Sequence, residues 1–175
     1  MKKMKVLFAV SLIILMGCED WFIKDEEFLK AIPYSGIELR TDDGYFFSKT
    51  SNNPEEGKVL FFYRNGAVFG GNYNYETGKL QNPEYLIDDI DNIRFWGTFS
   101  VSDNTLKYQF YSIFNGHYWR ICEAQCNILN DTTFVRKKIF LLYNGKDVTD
   151  DFNTEITFHF RQFSPKPYST NTFIK

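Results

Sequence analysis

Cys122 and Cys126 are the two cysteines in the body of this 175-residue chain, and whether they can join depends on the backbone between them. A strand running straight through both holds their Cα atoms about 13 Å apart, beyond disulfide reach. A turn at Glu123-Ala124-Gln125 would instead make them the flanks of a short hairpin loop, where roughly 5.5 Å is attainable and an exported protein keeps the bond. The outcomes are a disulfide or two separate buried thiols, and a bond across so short a loop would mainly fix local geometry. His117 and His159 are the only histidines, and neither falls in an HExxH or His-x-His arrangement, so a zinc centre lacks its ligands. There is no Gly-x-Ser-x-Gly elbow and no phosphate-cradling glycine loop. The expectation is a protein that is not an enzyme and needs no cofactor or metal. Asp88-Asp89-Ile90-Asp91-Asn92 and the group Asp147, Asp150 and Asp151 could hold calcium. The first lacks the spacing and glycine of an EF-hand loop, and both read as solvated surface.

The third cysteine, Cys18, has a different setting. Lys2, Lys3 and Lys5 precede an apolar run from Val6 to Met16, broken only by Ser11. About 11 apolar residues are well short of the roughly 20 that a helix needs to cross a bilayer, so the run reads as a secretion signal. Leu15-Met16-Gly17-Cys18 resembles the lipobox of bacterial lipoproteins. That resemblance implies cleavage before Cys18, a diacylglycerol on its sulfur and acylation of the new amine, two or three chains being enough for a stable anchor. The alternative is an ordinary secretory signal that happens to end in a cysteine. The expected division is a signal at 1–17, an acidic tether at 18–33 and a single domain at 34–175. The expected location is the bacterial cell envelope, lipid-anchored at the outer membrane. The stretch Glu19 to Glu27, rich in acids, resembles the signal that sends Bacteroidetes lipoproteins to the cell surface; read plainly, it is a solvated tether.

Charge narrows the partners. Residues 1–17 hold three lysines and no acid, so of 20 basic and 22 acidic residues the remainder keeps 17 and 22, a formal charge of −5. Nucleic acid is not an expected partner, because the bases are scattered among acids apart from Arg136, Lys137 and Lys138. An acidic tether cannot clamp anionic lipid either, which leaves lipidated Cys18 as the membrane contact.

The elements that position these residues read as strands. Nineteen Phe, eleven Tyr and three Trp, together with β-branched residues, favour a sheet. Ile37–Arg40 and Tyr45–Lys49 flank Thr41-Asp42-Asp43-Gly44, and Lys58–Tyr63 and Ala67–Tyr73 flank Arg64-Asn65-Gly66, two predicted hairpins. Phe95–Val101 and Thr105–Phe114 meet at Ser102-Asp103-Asn104, and Asn115-Gly116 turns the chain into His117–Cys122. Leu106, Tyr108, Phe110 and Phe114 share one face against Thr105, Lys107 and Gln109. Ile156, Phe158 and Phe160 repeat that alternation, while Thr132–Leu142 is a further strand reached through a less regular stretch from Cys126 to Leu129. Asn82 as a cap, Pro83 and Glu84 predict one short helix near 83–94. The expected fold is all-β, an antiparallel meander of 8 to 10 strands closing into a barrel, since closure removes exposed edges.

The segments Trp96-Gly97-Thr98-Phe99, Leu106-Lys107-Tyr108-Gln109, Ile128 to Phe134 and Lys166 to Asn171 resemble small lipocalin-like lipoproteins of Bacteroidetes, over roughly residues 37 to 171. The lipocalin Gly-x-Trp of the first strand is absent. The resemblance implies a barrel whose inward aromatics line a cavity for a small apolar ligand, with Trp96, Phe99, Phe110 and Trp119 as candidates. Against this stands a barrel filled by its own side chains. Such a domain would act on an envelope protein, or on a glycan through exposed rings such as Tyr73, Tyr75 and Trp119.

Overall fold

The computed structural model describes residues 30–49, 56–74, 93–114, 118–142, 155–169 and 174. Eight strands follow in chain order: β1 (Gly44–Lys49), β2 (Glu56–Phe62), β3 (Ala67–Asn74), β4 (Trp96–Ser102), β5 (Thr105–Phe114), β6 (Tyr118–Asn130), β7 (Thr133–Leu141) and β8 (Ile156–Gln162). Each is antiparallel to the next, and β8 pairs with β1, so the sheet closes into a lipocalin-like up-and-down barrel. Eight strands leave an interior just wide enough for side chains or one small ligand.

Turn chemistry sets the register. Asp103 and Asn104 both take positive φ, 48° and 60°, and join β4 to β5 with the twist that a two-residue hairpin needs. Gly66 closes the β2–β3 turn at φ 86°, and a Cβ there would lie 2.3 Å from the Ile32 carbonyl oxygen. Between β6 and β7 the Asn130 side chain accepts from the Thr132 amide at 3.0 Å.

Several expectations need correction. Ile37–Arg40 is not a strand: Leu39 plugs the barrel, 1% exposed, and the Arg40 amide donates to the Asp131 carbonyl at 2.9 Å instead of joining a ladder. The Cys126–Leu129 stretch lies inside β6, where two register shifts account for its irregular pattern. Residues 83–92 of the predicted helix lie outside the described residues, and its end, Ile93–Phe95, is a 3-10 turn leading into β4.

The aromatic supply builds two cores. Inside the barrel Phe46, Phe62, Phe99, Leu106, Phe134 and Phe158 pack with Leu39. Phe134 and Phe158 are register partners whose rings stack at 4.7 Å, a cross-strand pair of the kind worth about 0.5–1.5 kcal/mol beyond its buried area. The outward residues of β1 to β4 form the second core, Tyr45, Val59, Phe61, Phe69 and Trp96, covered by Phe47, Phe95, Phe163 and Ile174. That is why the run from Lys58 to Tyr63 lacks alternation: β2 is covered on both faces.

One end of the barrel is closed by residues 30–43. The Tyr34 amide donates to the Arg64 carbonyl at 2.8 Å, the Tyr34 ring lies 5.5 Å from Phe99, and Arg40 pairs with Asp131 at 2.9 Å. Lys166 secures this strap by donating to the carbonyls of Thr41 (2.8 Å), Asp42 (3.1 Å) and Phe62.

Candidate functional site

At the opposite end the barrel wall parts. β3 and β4 share only three residue pairs, Ala67↔Thr98, Val68↔Gly97 and Phe69↔Trp96, so past Phe69 the two strands separate. A cavity of about 290 Å³ occupies this region, lined by Leu60, Val68, Trp96, Tyr108 and Phe110 together with the cations Lys58 and Arg94. Gly97 also lines it, and a Cβ at that position would sit 1.8 Å from the Gln109 carbonyl oxygen, a close approach only glycine allows. The interior is therefore packed toward the strap and hollow toward the other end.

Register fixes which side chains point inward. Lys58 lies opposite Ser48 and two residues before Leu60, placing it on the inner face. Its ammonium lies 5.6 Å from the centroid of the Phe110 ring, a cation–π contact. Arg136 lies opposite Cys126 and Ile156, both in the inner core, and is only 3% exposed. Its guanidinium reaches the Tyr108 hydroxyl, while its Nη1 has no hydrogen-bond partner. Among the described residues no carboxylate forms an ion pair with Lys58 or Arg136.

The electrostatics follow from this placement. Burial lowers the Lys58 pKa to about 8; the nearby Arg136 charge adds to the fall and Cys122 opposes it. Burial pushes the Tyr108 hydroxyl up, with the Arg136 guanidinium restraining the rise. The Cys126 thiol is likewise pushed up by burial, so it is a poor nucleophile. Around pH 7, below that value, Lys58 keeps its charge.

Of the aromatics predicted to line a cavity, Trp96 and Phe110 do so. Trp96 belongs chiefly to the outer core, 4.8 Å from the Phe69 ring, and Phe99 sits deeper in the packed interior. Trp119 lies in β6, but its side chain is outside the described residues, as are that of Tyr73, all of Tyr75 and Cys18, His117 and both aspartate groups. Cys122 and Cys126 are both free and buried, because β6 passes through 123–125 as strand and not as a loop. His159 is exposed on β8 beside Phe47. Among the described residues no group of three His, Cys, Asp or Glu could hold a metal.

Sequence reasoning missed Lys58 and Arg136. Arg136 was hidden in the basic triplet, which the barrel splits: Lys137 pairs with Glu155 at 2.7 Å and Lys138 is exposed, while Arg136 turns inward. The available signal was parity, since Arg136 falls two residues after Phe134. No protein-family model, curated protein or solved structure compared with this chain matches it.

Proposed function

We propose that this chain is a lipid-anchored envelope lipoprotein whose barrel binds a small apolar molecule noncovalently. The observation that carries the reading is the cavity of about 290 Å³ at one end of an otherwise packed barrel, walled by Leu60, Val68, Trp96 and Phe110. Ligand sites are typically concave and mostly apolar with a few placed polar groups, and this cavity is at the small end of their range. At roughly 30 Å³ per water-sized group it accommodates about ten heavy atoms. The signal ending in Leu15-Met16-Gly17-Cys18 supports the anchor.

Native mass spectrometry of the protein as its host produces it, extracted in mild detergent, tests the binding. A stoichiometric small molecule that leaves on denaturation is the expected result. A bare mass, together with no uptake of added apolar probes, would remove the reading in favour of a packed barrel serving a protein or glycan partner. The anchor is tested separately, since Cys18→Ser should leave the chain unlipidated and shift it out of the membrane fraction. Retention of lipid label by that variant would refute the anchor.

A further inference from the structure

The geometry points to a small amphipathic anion as the occupant of the cavity, its charged head on the Lys58 ammonium and its apolar part against Leu60, Val68, Trp96 and Phe110. This inference rests on the proposal that the barrel binds a small molecule, and it specifies the chemical class and the anchor of the head.

Lys58 enters the interior from β2, and its ammonium lies 5.6 Å from the centroid of the Phe110 ring on β5, a strand that is not a neighbour of β2 in the barrel. The side chain therefore reaches across the interior instead of lying along its own wall. Both residues line the cavity, so the charge stands at its surface. Other lysines show what a structural one does in this fold. Lys107 meets Glu123 at 3.8 Å, Lys137 meets Glu155 at 2.7 Å, and Lys166 donates to three backbone carbonyls. Among the described residues Lys58 has neither kind of partner, only the ring face. A ring face attracts a cation without giving its three donors an oxygen to bond. Charges taken out of water are ordinarily paired, and an anion entering the cavity would supply the missing partner.

The rest of the lining agrees with that sign. Arg94, exposed on the turn that leads into β4, is a second cation on the same cavity, and no acid is among the described residues that line it. The chain as a whole is acidic, with a formal charge of −2, so the cavity runs against the average and draws anions toward its wall. Leu60, Val68, Trp96 and Phe110 give the other half of the ligand an apolar seat. The limited volume excludes long chains and leaves room for about ten heavy atoms.

Octanoate and octan-1-ol match in chain length and differ in charge at pH 7. Each is titrated by calorimetry into the full chain held in an uncharged amphipol, with the amphipol alone as the blank. Octanoate should bind about ten-fold more tightly than the alcohol, because its hydrogen bond to the ammonium is charge-assisted on both sides. Lys58→Met should bring octanoate close to the alcohol while leaving the alcohol unchanged, with circular dichroism checking that the barrel persists. Arg94→Gln should weaken octanoate less than Lys58→Met does, since an exposed charge is screened by water. The reverse order, with the preference for the acid lost on Arg94→Gln and kept on Lys58→Met, overturns Lys58 as the anchor. Equal binding of acid and alcohol by the wild-type chain overturns the anionic head but keeps the apolar cavity. Acetate binding as tightly as octanoate overturns the amphipathic class. Binding of none of them, and of no neutral apolar fluorophore, overturns the cavity reading itself along with this one. The wild-type comparison needs no mutation, so a variant that misfolds does not decide the result.

Discussion

Arg136→Met should make the ligand-free protein more stable, the opposite of what removing a buried arginine from a paired site does. The orphaned Nη1 and its burial at 3% exposure mean that folding strips water from a charge and returns little. An unmet buried donor costs about 1–3 kcal/mol, and the like charge of Lys58 adds to it. Methionine keeps much of the apolar stem, so little cavity opens. Against the gain, the Tyr108 hydroxyl loses its guanidinium neighbour, about 1 kcal/mol. The balance is a stabilisation of about 1–2 kcal/mol, which for a domain of this size raises Tm by roughly 3–6 °C. Urea unfolding and calorimetry of ligand-free wild type and variant at pH 7 measure it. A loss of about 2 kcal/mol or more would show that Arg136 is held by an acceptor and refute the reasoning.

Three further outcomes are expected. Lys58 and Lys166 are each lowered by burial to about 8, against about 10.5 in the unfolded chain, so between those values the unfolded state binds more protons and stability should rise with pH. The groups facing Lys58 are Arg136, Cys122 and Tyr108, and Lys58→Met should remove its share of the rise in pH-dependent melts. Lys166→Met strips the donor from the carbonyls of Thr41, Asp42 and Phe62 and should cost about 1–3 kcal/mol in urea unfolding, an unchanged midpoint counting against the strap as a structural closure. Gly66→Ala puts a Cβ 2.3 Å from the Ile32 carbonyl oxygen at φ 86° and should destabilise by about 1–3 kcal/mol by the same assay; no change would mean the turn readily shifts away from the strap.

The barrel was legible because its strands announce themselves where one face is wet. Thr105–Phe114 runs to the predicted bounds, and Asp103-Asn104 turns as its residue types require. Legibility failed where both faces are covered or where the chain leaves the sheet. Gln109, read on the polar face of β5, is 2% exposed, with Thr98 and Glu123 as its hydrogen-bond neighbours. Leu39 looked like part of a strand because a plug and a strand need the same apolar side chain. The site was half legible: Trp96 and Phe110 could be guessed as aromatics near a cavity, but Lys58 looks like any surface base until parity places it inside.

The strap gives the barrel a direction. Residues 30–43 seal the end where the chain enters β1, whereas Lys58 and the cavity lie at the other. The described chain therefore begins at the sealed base of the cup, with the cavity at the far end. Whatever enters the cavity does so without passing the strap, so loosening the strap should lower stability and leave the mouth as it is.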